Sequence, residues 1–418
     1  MSKDNKNFFK VKNRWSEIKD QLLGCYLTPY FQKVLTTGKP IFYVDCFAGK
    51  GKFDDGKPGS PRIALQARDD CMKKSKMQSG PGRIDSCFID LNYEKELSAN
   101  IEDFSIANGR MDVIGGKYEK EIESLLSSKR GANIFLYIDP YGIRALDLGL
   151  FDKFGTYGFG TLEMLINFNS FGFFRDACRV MKVDYNNDEA LQDLDDLVEY
   201  EPTEVSASKQ SEELLTCIAD GDYWKAIVDD YQHDKITGFQ AEKRLSTEYK
   251  QRLRQRYGYV LDMPIRLKPG QRPKYRMIHV CDHEDGCFLM AQNMQKRKDE
   301  LFIDVQQGGQ LSLFDAVPNM TSSIENEPLT VEDIEVKLKE HLMRFSGDVG
   351  ITRLLATFVN DYGLLCEFKM IYDILDNLKH QGMIDIVRNP AFTQSRLQPS
   401  AFWEETKVKS VTIRRSRP

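Results

Sequence analysis

Cysteines in metal-binding spacing are missing from this sequence. Nine cysteines stand at 25, 46, 71, 87, 178, 217, 281, 287 and 366, odd in number, irregular in spacing and without a Cys-x-x-Cys. That argues against a disulfide framework or a structural zinc site and fits a reducing cytosol. Histidine is scarce, at five. His233, His279, His341 and His380 have no partner visible in sequence, and Cys281, His283 and Cys287 lack a fourth ligand and a zinc spacing. No Ser/His/Asp or Cys/His nucleophile set can be argued. The first residues, MSKDNKNFFK, lack the apolar core of a signal peptide, and no apolar run approaches the ~18–20 residues of a membrane span. These absences predict a cytoplasmic protein with no metal and no membrane partner.

What is present is ordinary in bulk. The chain has 418 residues, 41% hydrophobic and 29% charged, enough for two or three domains with sizeable cores. The net charge of −5 hides an asymmetry. Residues 184–213 hold eleven acids against Lys209, a net of −10 that leaves +5 on the rest. With their Asn, Ser and Pro they read as an insertion or a solvated face. Residues 243–276 hold eleven Lys/Arg against Glu248 and Asp262, a net of +9.

Apolar periodicity predicts a helix over 8–36, then strands alternating with helices. The strands are 41–47, 87–90, 112–116, 133–139 and 162–168; the helices between them include 60–74, 93–104 and 117–128. Ser60 and Pro61 supply an N-cap and a first-turn proline. Alternation of this kind implies right-handed crossovers and a parallel sheet covered on both faces. A charged helix near 239–256 precedes two further strands, 259–267 and 275–282, joined by the turn KPGQRPK (268–274) as a hairpin. Five parallel strands plus such a hairpin is the Rossmann-like inventory of a class I methyltransferase. A helix at 287–301 would close it. The expected organisation is therefore N-terminal helices (1–40), an α/β domain (41–302), a Gln/Gly/Ser-rich linker (303–328) and a winged-helix-like domain (329–418). The last rests on helices at 330–344, 349–361 and 366–380 with strands at 382–389 and 408–416.

The loop after the first strand, AGKGKFDDGKPGSP (48–61), admits three readings. A phosphate loop fails because Pro58 follows Gly51-x4-Gly56-Lys57, giving neither hydroxyl nor backbone N–H. A dinucleotide fingerprint fails because Asp54 stands where a third glycine is needed. The third reading is S-adenosylmethionine (SAM), which carries no phosphate. Gly49 and Gly51 let backbone approach the ligand, Phe47 lies between them and the strand, and Asp45 is placed to meet the cationic end. A plain strand–helix turn is the alternative. The next strand ends in Asp90, a candidate acceptor for the ribose hydroxyls.

The fourth strand ends in Asp139-Pro140-Tyr141-Gly142. Ligands of parallel sheets bind beyond the C-terminal strand ends, at the switch in strand order. Amine methyltransferases place (Asp/Asn)-Pro-Pro-(Tyr/Phe) there. The first side chain orients an exocyclic NH₂ and the aromatic stacks on a flipped base. One proline is missing here, which leaves the target base open.

Together, the N-terminal order K-x-x-x-L…Y-L, YVDCFAGKGKF, GSPRIAL, CFIDLN, FLYIDPYG and YRMIHV resemble the three-Cys-motif partner protein family over about residues 10–300. The matching residues are Asp45, Gly49, Gly51, Ser60, Pro61, Asp90, Asp139, Pro140, Tyr141 and Gly142. The resemblance implies a SAM-methyltransferase-like fold and a three-cysteine-motif, radical-SAM-like partner. One departure is plain: the third strand ends at Gly115-Gly116-Lys117, without the acid that often contacts adenine.

Three further segments suggest partners. Arg266, Lys268, Arg272, Lys274 and Arg276 would form a cationic rim beside Asp139 for phosphate. Gln310, Leu311, Leu313 and Phe314, around Ser312, resemble the peptide with which bacterial enzymes hold the DNA sliding clamp. Lys407, Lys409, Arg414, Arg415 and Arg417 make a basic wing beside a recognition helix at 366–380, suited to duplex DNA or to a protein. The expected function is SAM-dependent methylation of a nucleic-acid amine, DNA favoured. The alternative is an inactive DNA-binding adaptor for the three-cysteine partner.

Overall fold

The computed structural model describes residues 9–12, 14–76, 83–185, 205–265, 273, 275–306, 329–393 and 398–415. The chain divides into two compact units, Met1–Asp282 and His283–Pro418.

The first unit is an α/β layer structure. Helix α1 (Arg14–Leu35) leads into β1 (Ile41–Asp45), α2 (Ser60–Lys76), β2 (Ile84–Asp90), α3 (Glu94–Ile101), β3 (Met111–Gly115), α4 (Tyr118–Ser127) and β4 (Asn133–Ile138). Then come α5 (Leu148–Thr156), β5 (Thr161–Phe168), α6 (Ser170–Met181), α7 (Lys209–Ala219), α8 (Tyr223–Gln232), α9 (Gly238–Arg254), β6 (Tyr259–Ile265) and β7 (Tyr275–Cys281). The seven strands form one sheet in the order β3-β2-β1-β4-β5-β7-β6. The first five are mutually parallel, and β7 runs antiparallel between β5 and β6. The sheet is thus mixed and mostly parallel, compatible with a Rossmann-like fold. The order reverses between β1 and β4, which opens a crevice beyond Asp45 and Ile138.

The strands form where the sequence is a near-continuous apolar run, because both faces are covered: every residue of β1 and β4 is buried. Alternate residues serve opposite faces. Tyr43 packs with Phe31 of α1, Phe88 and Phe135. Phe42 and Val44 join Leu136, Phe151, Trp224 and Tyr249 in the large core on the other side. Helices α5 to α8 were not expected from the sequence. Two glycines weaken the helical pattern in α5 (LGLFDKFGT), but in α6 the Asn169 side chain caps the helix at Gly172 N–H and the apolar spacing was readable. The acidic stretch is in part helical, since α7 starts at Lys209; residues 186–204 lie outside the described residues.

The second unit begins with α10 (Glu284–Gln306). The boundary at 282/283 corrects the placement of the 287–301 helix in the α/β domain. Its Cys287 and Phe288 pack on residues of the C-terminal helices, Ala356 and Phe368. Helices α11 (Val331–Leu342), α12 (Ile351–Tyr362) and α13 (Phe368–His380) surround a core with Leu338, Leu355, Ile371 and Leu375. Strands β8 (Val349–Gly350), β9 (Ile384–Asn389) and β10 (Ser410–Arg415) form an antiparallel sheet in the order β8-β10-β9. Among the described residues no helix is long and apolar enough to cross a membrane.

Candidate cofactor and substrate cleft

The crevice beyond β1 and β4 is lined by Phe47, Gly49, Gly51, Phe53 and Ser60 from the first loop, Asp139, Pro140 and Tyr141 from the second, Asn167 from the end of β5, and Tyr275 from the start of β7. Phe9, Ser16, Lys19 and Asp20 close it from the N-terminal side. Residues from distant strand ends thus meet in one place. The free interior is ≈ 70 Å³, well below the roughly 300–1,000 Å³ of small-molecule sites.

The glycines are there for backbone reasons. Gly49 and Gly51 sit at φ +59° and +75°, where a side chain is strained. A Cβ on Gly51 would meet Leu97 Cδ1 at 2.9 Å, and one on Gly49 would meet the Phe9 ring at 3.0 Å. The loop folds back on itself: Gly59 N–H donates to Gly51 O at 3.0 Å and Phe53 N–H to Lys57 O at 2.9 Å.

Asp45 does not meet the cleft as expected. It is fully buried at the end of β1, where its Oδ1 accepts the Phe47 N–H at 3.2 Å. Its Oδ2 has no partner among the described residues. Burial pushes its pKa up to about 7, although the nearby Ser60 side chain and the Phe47 N–H pull the other way.

Asp90 is engaged by backbone. Its Oδ2 accepts Gly49 N–H at 2.9 Å, and its Oδ1 accepts Asn92 and Tyr93 N–H at 2.8 and 2.9 Å. Three of roughly four acceptor positions on a carboxylate are thereby filled by backbone. The residue holds the glycine loop to the start of α3. At the end of β3 the Glu94 side chain crowds Gly115, where an added Cβ would clash with its Oε2.

Asp139 lies where the strand order places it, but its carboxylate is engaged. Lys19 Nζ stands 2.8 Å from both oxygens. Asn167 Nδ2 donates to Oδ1 at 2.7 Å, and Tyr137 OH to Oδ2 at 3.2 Å. All four acceptor positions are occupied. The Asn167 contact fixes the orientation of that amide, because a carboxylate can only accept. Asn167 Oδ1, without a partner among the described residues, is the acceptor left over beside Asp139. Tyr141 remains 37% exposed at the mouth, a flat surface on which a base could stack.

Lys19 and Asn167 escaped sequence reasoning. Lys19 opens the K-x-x-x-L…Y-L pattern, so its recurrence in the motif was a signal without an assigned partner. The tyrosine of that pattern, Tyr26, donates to Glu163, which also meets the fully buried His279 Nε2 at 3.0 Å. Nearer the cleft, Asp20 pairs with Lys12; burial still pushes its pKa up to about 6.

The cationic rim is corrected where it can be seen. Arg276 is 3% exposed and bonded to Glu242 at 2.7 and 2.9 Å and to Asp262 at 2.8 Å. Burial disfavours the Asp262 carboxylate, yet Lys250 and Arg276 hold its pKa well below the usual range. Arg244, Arg252 and Arg256 pair with Asp230, Glu248, Asp152 and Asp220. Lys250 likewise pairs with Asp262. In space these five cations, Arg276 included, meet acids, most of them contributed from outside the run. Arg266, Lys268, Arg272 and Lys274 lie outside the described residues, as do Gln310, Leu311, Leu313 and Phe314.

In the second unit Arg414 is paired with Asp348 at 2.8 Å, and Arg388 lies 4.6 Å over the Trp403 ring, which stacks on Tyr372 at 4.7 Å. The exposed side of α13 mixes Lys369, Asp373, Asn377 and Lys379. The basic wing is therefore partly neutralised. The chain matches no protein-family model and no curated protein.

Proposed function

We propose that this chain is a SAM-dependent methyltransferase-like protein that acts on an exocyclic amine of a nucleic-acid base, DNA favoured, in the cytoplasm and alongside a three-cysteine-motif partner. The observation that carries the reading is convergence. A left-handed Gly49/Gly51 loop after β1 and an Asp139-Pro140-Tyr141 turn after β4 line one crevice at the switch in strand order. The strand order, with β7 antiparallel between β5 and β6, agrees with a class I methyltransferase sheet. In the second unit the order helix, short strand, two helices, two strands agrees with a winged helix, a fold that serves DNA or protein partners.

The residues fit the cofactor in kind. SAM supplies a methyl group on a cationic sulfur. Gly49 and Gly51 offer it a backbone surface without side chains, and Phe47 an apolar wall. Asp139, Asn167 and Tyr141 would position the acceptor amine, catalysis resting mainly on orientation. With Asp139 saturated by Lys19, Asn167 and Tyr137, the leftover Asn167 Oδ1 is the better acceptor for an amine N–H. The sliding-clamp peptide at 310–314 belongs to the same reading as a tether to DNA.

One observation favours the adaptor alternative: the small interior and the filled acceptor positions describe a closed cleft. Transfer of labelled methyl from SAM to DNA or RNA separates the two. Transfer that falls at least a hundredfold in Asp139→Ala supports the enzyme. Absence of transfer to either polymer supports the adaptor, and transfer unaffected by Asp139→Ala removes Asp139 from its role.

A further inference from the structure

The segment ahead of α1 lies against the glycine loop. Phe9 is 4% exposed although it lies in a turn ahead of α1 rather than in a helix or strand. Its ring lies against Gly49, where an added Cβ would come within 3.0 Å of it. It meets Tyr93 edge-on at 5.1 Å and Phe53 at 5.7 Å. Lys50 Nζ stands 5.0 Å from the Phe9 centroid and 5.3 Å from that of Tyr93. A flat aromatic group therefore sits over the loops that follow β1 and β2, with a cation on its face.

The contacts of this N-terminal arm include hydrogen bonds to the glycine-loop hairpin. Phe9 O accepts the Asp54 N–H at 2.8 Å. Lys12 N–H donates to Asp55 Oδ2 at 3.2 Å, and Lys12 Nζ donates to Pro58 O at 2.7 Å and pairs with Asp20 at 2.5 Å. Those partners sit in the glycine-loop hairpin or at the start of α1, so the latch fastens the arm to the cleft rim. Asp20, with a pKa near 6, is the one carboxyl in the latch that is buried. Lys12 and Lys19 face it as cations and Asp139 as an anion.

We infer that Phe9–Lys12 is an autoinhibitory strap: its ring occupies the place of the nucleoside, and a nucleoside ligand enters only when the strap leaves. The inference rests on the SAM reading of the cleft. It accounts for the ≈ 70 Å³ interior beside a glycine loop otherwise suited to a ligand. It also gives the cleft a control point, since anything that captures the strap opens the site without touching Asp139.

The test is isothermal titration of SAM into the full chain, Phe9→Ala, and a variant lacking residues 1–12, with thermal melts to confirm folding. The expected result is affinity at least tenfold higher in both variants than in the full chain. Hydrogen exchange gives a readout independent of affinity: the Asp54 amide, bonded to Phe9 O, should exchange faster when the full chain is saturated with SAM. Equal affinity in all three proteins, with Asp54 still protected, overturns the strap and leaves the SAM reading standing. No binding by any of the three overturns the SAM reading and the strap with it.

Discussion

Lys19 Nζ lies 2.8 Å from both carboxylate oxygens of Asp139, and so the first helix of the chain reaches the end of its fourth strand. The pair is largely buried, with side chains 8% and 21% exposed. It links an N-terminal motif to the Asp-Pro-Tyr turn 120 residues away.

Removing one partner of such a pair leaves a buried charge and costs about 3 kcal/mol. Lys19→Met should lose about that much stability in urea denaturation. The double variant Lys19→Met/Asp139→Asn should recover most of it. If the double variant loses as much as the sum of the singles, the two side chains are not coupled.

Asp45 predicts a pH dependence. Its carboxyl ionises near pH 3.8 when unfolded and at about 7 when folded. Between those values the native state binds the proton that the unfolded state has lost. Stability therefore falls as pH rises from 4 to 7 and levels off above, by up to about 4 kcal/mol. Asp20, at about 6, adds a slope of the same sign over a narrower window. Asp45→Asn should melt higher than the parent at pH 8 and show a flatter profile. A stability difference between parent and Asp45→Asn that stays flat through this window contradicts the burial of Asp45.

Arg276 is expected to be structural. Arg276→Leu strands Glu242 and Asp262 beneath α9 and should cost roughly 3–5 kcal/mol. An exposed phosphate contact would instead leave the melting temperature unchanged and weaken DNA binding at low salt.

Gly51→Ala combines a strained φ with a 2.9 Å approach to Leu97. It should cost about 2 kcal/mol, while Gly56→Ala, equally left-handed but with open space around it, should cost about 1. Equal losses would mean that the close packing of the loop on α3 contributes nothing.

The sheet was legible because buried parallel strands write themselves as short apolar runs, such as IFYVD and NIFLYI, between glycine-containing turns. The cleft was legible at Gly49, Gly51, Asp139 and Tyr141 because strand ends in a parallel sheet share one edge. What those side chains touch was not legible. Asp90 could be placed at a strand end, but its use by three backbone N–H groups depends on how the next turn closes. Phe9 and Lys19 reach the cleft from a segment that the strand pattern does not position. Arg276 read as a rim cation because its neighbours in sequence are basic. Glu242, which neutralises it, comes from α9, 34 residues earlier in the chain. The unit boundary was displaced because an amphipathic helix at 287–301 fits either a sheet or a helical bundle equally well.

The most direct measurement is calorimetric titration of SAM into the unstrapped chain, Phe9→Ala, with and without Gly49→Asp. The account predicts binding heat in the first and none in the second, whose carboxylate would stand at φ +59° inside the glycine loop. Absence of heat in a folded Phe9→Ala chain, or heat undiminished by Gly49→Asp, would contradict it.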